Sequence, residues 1–283
     1  MDRKHRELVY FSLFRVCAGI VVLALLVLIG YILTGGLERL SLEFLTEMPR
    51  RANTQGGIFP AIVGTFYLML IVMAVTVPIG IMSAIYLVEY EQSSWMGRVF
   101  KLAVYNLAGV PSIVYGLLGL GIFVVYLGFG FSLISAGLTL SIMALPLMIS
   151  ASQEAISAVP KSVREASLAL GATKWQTIWH HVLPYALPGI FTGIILSVSR
   201  AAGETAPLML TGVAMSLSRL PDSFFDSFMA LPYHIYYMAT QSSDLIATRP
   251  IQYASALVLL LLVLGMNLVA IVMRKRYREK FKW

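Results

Sequence analysis

Six long runs of apolar side chains, at residues 16–33, 59–88, 102–127, 131–149, 187–213 and 251–273, dominate this chain of 283 residues. A bilayer core about 30 Å thick takes about 20 residues of helix to cross, so each run is of spanning length or close to it. The runs are continuously apolar, without the alternation of barrel strands, and a helix satisfies its own backbone donors and acceptors in lipid. The expectation is an all-α integral membrane protein with six transmembrane helices. Charge usage points the same way, because only 12% of the residues are charged, about half of what a soluble domain carries.

The first run follows Arg3, Lys4 and Arg6, as a signal peptide would. It exceeds the roughly 7 to 15 apolar residues of a signal core and leaves through Tyr31-Ile32-Leu33, not a small-residue cleavage site, so an uncleaved first span is expected. Basic residues set the orientation. With both termini cytoplasmic, the inner segments hold Arg3, Lys4, Arg6, Arg15, Arg98, Lys101, Lys161, Arg164, Lys174, Arg274, Lys275, Arg276, Arg278, Lys280 and Lys282. The outer ones hold only Arg39, Arg50, Arg51, Arg219 and Arg249. The net charge of +7 therefore reads as topology and attraction to anionic headgroups, not as a nucleic-acid surface. Cys17 is the only cysteine, which excludes an intrachain disulfide and a cysteine-based metal site.

No internal repeat, low-complexity tract or long linker divides the chain. Residues 1–58 read as a first helix with an outer loop at 34–58, residues 59–273 as the membrane core and residues 274–283 as a basic cytoplasmic tail. A second outer segment, residues 214–250, mixes Phe224, Phe225, Phe228, Tyr233, Tyr236 and Tyr237 with Asp222, Asp226 and Asp244. It reads equally as an interfacial aromatic belt or as a gate or docking surface for a soluble partner.

The cytoplasmic segment between the fourth and fifth runs looks ordered. Pro160 and Ser162 mark a helix start, and Gly171 can take the left-handed conformation that ends one. Two short helices joined at Gly171 are expected. Ala166 and Ala169 would let a partner approach closely, while Glu165 could bond its exposed amides or a basic group. In the second helix Trp175, Ile178, Trp179 and Val182 recur at helical spacing, giving an apolar face toward the membrane domain. An amphipathic helix lying at the headgroups is the alternative. His180 and His181 do not make a metal site, since adjacent helical residues point about 100° apart and no carboxylate or cysteine lies close by in sequence.

The pattern Glu165-Ala166-Ser167, three residues, Gly171, nine residues, His181-Val182-Leu183-Pro184 resembles the EAA loop of ABC importer permeases. There are two departures, Ser167 for a third small apolar residue and His181 where that family prefers isoleucine. The resemblance implies that residues 160–184 carry the helix that docks on a separate ATP-hydrolysing subunit. Glu165, Ala166, Ser167, Gly171, Leu183 and Pro184 are then its coupling residues.

The fifth run carries Ser197, Arg200, Gly203, Glu204, Pro207 and Thr211. An arginine near the bilayer centre costs about 2.5 to 3.5 kcal/mol even on the lenient insertion scale, so these charges must face protein or water. Arg200 and Glu204 are four apart and able to pair, with Ser197 and Thr211 extending a polar stripe. Ser199, Gly203 and Ala206 offer a small-residue stripe for close packing, and Pro207 is expected to kink the helix by freeing the Gly203 carbonyl. Pro111, with Gly109, interrupts the third run near Asn106, Ser112 and Tyr115. Two readings of the charged pair stay open: a translocation pathway, or a buried pair that fixes helix register.

The string Arg200-Ala201-Ala202-Gly203-Glu204-Thr205-Ala206-Pro207-Leu208 resembles the signature of A-type permeases of phosphate-specific (Pst) ABC importers. Phe44-Leu45-Thr46-Glu47-Met48, Asn53-Thr54-Gln55-Gly56-Gly57 and Ile85-Tyr86-Leu87-Val88-Glu89-Tyr90 extend the likeness over nearly the whole chain. The resemblance implies a type I ABC importer permease (MetI-like) core of five helices with the first helix flanking it, in a bacterial inner membrane. It also implies a related C-type permease, an ATPase dimer and an outer phosphate-binding protein as partners, with inorganic phosphate as substrate. Arginine presents forked donors suited to phosphate oxygens. No Gly-x-x-x-x-Gly-Lys-[Ser/Thr] string occurs, so ATP and magnesium are expected on the partner ATPase, with no cofactor and no enzymatic activity in this chain. The rivals are a permease for another oxyanion or small solute and, from a different class, a secondary transporter driven by an ion gradient. An intramembrane hydrolase lacks both a zinc-helix motif and an assignable base.

Overall fold

In the computed structural model the described residues are all except 1, 2, 52, 54, 92, 93, 218, 243 and 281–283. Thr54 and Lys282, both named above, lie outside them, as do the side chains of Arg3, Lys4 and Arg6. Helix α1 (Arg3–Gly36) leads into an outer loop with short α2 (Leu42–Thr46) and a small antiparallel hairpin, β1 (Pro49–Arg50) and β2 (Gln55–Gly56). Helix α3 (Phe59–Ile85) ends in a π-wound turn (Tyr86–Tyr90), and α4 (Trp95–Ala108) and α5 (Ser112–Gly119) follow, α5 running on through π-wound Leu120–Tyr126. Next come α6 (Leu133–Ser157), α7 (Lys161–Ala169), and α8 (Lys174–Thr177) with its π-wound extension Ile178–Val182. The chain continues as α9 (Leu183–Gly203), α10 (Ala206–Met209), α11 (Leu231–Thr240) and α12 (Arg249–Lys280).

Among the described residues five helical segments, Tyr10–Arg39, Phe59–Tyr90, Leu133–Ser157, Lys174–Gly203 and Arg249–Lys280, are long and apolar enough to cross a bilayer. The sixth expected span, residues 102–127, is not one helix. Helix α4 and the α5 segment meet at 104°, because Pro111 has no N–H to continue a ladder and disfavours helical backbone before it. At the corner the Tyr115 hydroxyl donates to the Leu107 carbonyl at 2.7 Å, beside the Val110 amide at 3.1 Å, and so ties α5 to the last turn of α4.

Helix α6 is the centre of the core. It packs on α3 and α9 through small residues: a Cβ on Gly193 would lie 2.8 Å from the Ala151 Cβ, and Gly80 sits against Met148. With little hydrophobic drive between helices in lipid, such close approach is what holds spans together. Buried Thr139 and Ser141 of α6 return their hydroxyls to carbonyls one turn back, Ser135 and Gly137, each at 2.7 Å. Around this seam lie Leu140, Met143, Ala144 and Met148, none more than 3% exposed. Helix α1 stands outside the core, touching α12 mainly where Gly35 and Gly36 meet Tyr253 and Tyr31 packs edge-on to that ring at 5.2 Å. This is the expected arrangement of a membrane core with a flanking first helix.

Candidate functional site

Helix α7 stops where Gly171 takes φ +85°. The Gly171 amide bonds the Leu168 carbonyl at 2.9 Å and the Ala172 amide that of Ser167 at 3.2 Å, the paired closure of a glycine-ended helix. Thr173 and Gln176 then form a reciprocal capping box that starts α8. The expected second short helix is instead the start of the long helical segment Lys174–Gly203. The π-wound turn at Ile178–Val182 carries the rod on to Pro184, which has no amide to donate.

Glu165, Ala166 and Gly171 are exposed, Leu183 and Pro184 half-buried, and Ser167 is buried with its hydroxyl 2.9 Å from that of Thr177. Ile178 and Val182 are buried against Ala84, Ile85, Val88 and Ile156. Trp175 and Trp179 correct the expected apolar face: they stack at 5.9 Å on the outer side and remain 48% and 52% exposed. One apolar stripe thus becomes two, one into the core and one outward. The His180 ring lies 3.1 Å from the Gln176 carbonyl, His181 is exposed, and among the described residues no group of three or more His, Cys, Asp or Glu could hold a metal.

Sequence alone did not pair Arg164 with Glu89. The Arg164 Nε and Nη2 reach the Glu89 Oε1 at 2.9 and 2.8 Å, while Nη1 and Nη2 also donate to the Val159 and Ile156 carbonyls at 2.6 and 2.9 Å. The pair is shielded, with side chains 17% and 8% exposed. Lys174 donates to the Glu89 carbonyl and stands 4.5 Å from the Tyr90 ring centre. A glutamate ending one span and an arginine opening the next cytoplasmic helix were the available signal, but 75 residues separate them.

Deeper in the membrane the structure departs from a single kinked fifth span reaching residue 213. Helix α9 ends at Gly203, Glu204 is extended, and Pro207 lies in the first turn of the separate helix α10, where a missing amide costs nothing. Pro207 therefore sits beyond a break and does not kink a continuous helix. Helix α10 is pressed on α5, so that a Cβ on Gly116 would lie 3.0 Å from the Pro207 Cα. Pro111 likewise marks a break, that between α4 and α5.

Arg200 and Glu204 do meet, across the end of α9, at 3.8 Å from Nε to Oε1, with side chains 42% and 20% exposed. Buried Tyr115 is close enough to Arg200 to feel its charge. Ser197 is buried. Thr211 lies past α10 and turns its hydroxyl back to the Pro207 carbonyl at 2.8 Å, so the expected continuous polar stripe does not form. Ser199 of the proposed packing stripe accepts a 2.7 Å bond from Asn267 Nδ2 of α12, an intramembrane contact that sequence reading missed. Helix α11 buries Tyr233, His234 and Met238. Burial lowers the His234 pKa to about 4, leaving a neutral ring at physiological pH.

The profile of the "binding-protein-dependent transport system inner membrane component" family matches residues 76–282. A probable ABC transporter permease, YqgI of Bacillus subtilis, is 32% identical over 95% of both chains. The phosphate transport system permease protein PstA 1 of Mycobacterium tuberculosis is 40% identical over 77% of this chain and 70% of its own length. PstA of Yersinia pestis is 35% identical over 84% and 79%. Among solved structures, a bacterial alginate ABC transporter in complex with its alginate-bound periplasmic protein superposes over 96% of both chains, with a TM-score of 0.68 at 16% identity. An inward-facing MetNI methionine ABC transporter covers 78% of this chain and 94% of its own, with a TM-score of 0.58 at 18% identity; at such identities the likeness is one of fold. By its profile match and these relatives, the chain belongs to the family of binding-protein-dependent transport system inner membrane components, the multi-pass permease subunits of ABC importers.

Proposed function

We propose that this chain is the A-type permease of an ATP-driven inorganic phosphate importer and forms half of its translocation pathway. The observation that carries the reading is Arg200, a half-exposed guanidinium at a break in an intramembrane helix, held to Glu204 only at 3.8 Å. The likeness to phosphate transport system permeases at 40% identity supports the substrate. One such arginine from each of two permeases would offset much of the charge of a divalent anion, and Glu204 neutralises Arg200 when the path is empty. Charge-assisted, forked hydrogen bonds suit a tetrahedral oxyanion.

The partners in this reading are a C-type permease, an ATPase dimer beneath α7, and a phosphate-binding protein outside. ATP and magnesium belong to the ATPase, and this chain catalyses no reaction. Both termini are cytoplasmic, as the basic residues indicate. Closure of the ATPases on ATP moves α7 and switches the pathway from inward to outward access.

The test is uptake of radiolabelled phosphate, with sulfate and molybdate in parallel, by cells lacking the gene and complemented with the wild-type chain. Restored high-affinity phosphate uptake is expected. Restoration of sulfate or molybdate uptake instead would reassign the substrate and leave the permease fold standing.

A further inference from the structure

We infer that Arg164 and Glu89 are positioning residues for energy coupling: their bonded pair fastens α7 to the inner end of α3, so that the two move as one body. The inference rests on the permease reading above, in which α7 receives the motion of an ATPase.

Arg164 is the fourth residue after the α7 N-cap, Pro160, and its guanidinium joins three elements. Two of its nitrogens hold Glu89 at the end of α3, and two bond the carbonyls of Ile156 and Val159, where α6 ends. The Val159 carbonyl lies past the end of α6, that of Ile156 takes the Val159 amide at only 3.3 Å, and a cation there also complements the helix dipole. On the far side of the Gly171 turn, Lys174 ties α8 to the Glu89 carbonyl and to the Tyr90 ring. The coupling segment is therefore tethered to the same turn of α3 from both of its arms, with the Ser167–Thr177 hydroxyl pair bracing the arms against each other.

That turn of α3, Tyr86–Tyr90, is π-wound, and so is the Ile178–Val182 turn whose side chains pack near it. Turns of this kind are rare and concentrate at functional positions. The pair is also chemically specific. A shielded carboxylate that loses its partner is left as an uncompensated charge, and a lysine, with three donors on a single nitrogen, cannot reproduce four bonds spread over three nitrogens. Because α3 packs along α6, a displacement of α7 passed through Arg164 reaches both helices of the core seam.

The test uses the assembled importer, with both permeases, ATPase and binding protein, in proteoliposomes. Arg164→Lys and Glu89→Gln are each expected to keep ATP hydrolysis near the wild-type rate while phosphate moved per ATP falls about tenfold, the scale set by losing a charge-assisted bond. A role in stability alone would lower hydrolysis and transport together and leave their ratio unchanged, which overturns the inference. A second measurement does not depend on the variants or on the substrate: in a Cys17→Ser background, spin labels at Leu168→Cys and Met82→Cys report the distance from α7 to α3. It is expected to stay constant between nucleotide-free and vanadate-trapped states, and a change on trapping would overturn the common motion. Should the wild type carry sulfate instead of phosphate, the substrate reading falls, and the label distance still decides the coupling role.

Discussion

Two of the arginine–glutamate pairs among the described residues, Arg164–Glu89 and Arg200–Glu204, use the same chemistry to opposite mechanical effect. Beside α7 Arg164 holds Glu89 through two nitrogens at 2.8 and 2.9 Å, shielded from water and seated on helix-end carbonyls. Within the membrane Arg200 touches Glu204 through one nitrogen at 3.8 Å, with the arginine 42% exposed and the glutamate on extended backbone past the helix end. The first has its donors committed and is built to stay closed. The second keeps its fork largely free and can open to an anion without breaking a well-made contact. How many donors are already used, more than the presence of the pair, separates a joint from a site.

The sharpest way to break this contrast is Arg200→Gln, which keeps a polar side chain and removes the cation. Uptake of phosphate is expected to fall at least about tenfold, since hydrogen bonds to charged groups contribute roughly 1.5 to 3 kcal/mol, with the complex assembled as before. Glu204→Gln should lose less, because its contact is loose. Normal uptake by both variants would make the pair a register contact and erase the distinction between the two regions.

A middle-sized effect is expected at the cytoplasmic end from Gly171→Val. A β-branched residue at φ +85° is strained by about 1 to 2 kcal/mol, which should tilt α7 away from α8 and reduce co-purification of the ATPase several-fold. Unchanged ATPase retention would mean that the rigidity assigned to this end does not lie in the Gly171 turn. The smallest effect should come from Asn267→Leu, which removes the bond to Ser199. Intramembrane side-chain bonds average about 0.6 kcal/mol, so a slightly lower melting temperature with nearly normal uptake is the expected result. A large loss of uptake there would show that the position of α9 in the pathway depends on α12.

Much of this architecture could be read before any coordinates. The apolar runs identify the spans, since lipid demands internally bonded backbone. Gly171 announces its turn because only glycine takes that backbone freely. The placement of Glu165 and Ala166 on an exposed face was also visible, because local helical spacing fixes which neighbours share a side. Where two outcomes were locally equivalent, sequence reading went astray. Trp175 and Trp179 have the spacing of a buried stripe, yet Ile178 and Val182 fill the core and leave the tryptophans outward. Thr211 lies at helical distance from Arg200, but α9 ends first.

What the sequence determined by itself is the class of molecule, a multi-pass helical permease, because hydrophobic length and short motifs are local properties of the chain. Only the tertiary structure decided that Arg164 closes on Glu89, that Asn267 reaches Ser199, and that Arg200 stays half open beside Glu204. Each of these depends on where separate helices, or the two sides of a helix break, come to rest. Packing settles that position by competition among many side chains, and no single stretch of sequence records the result.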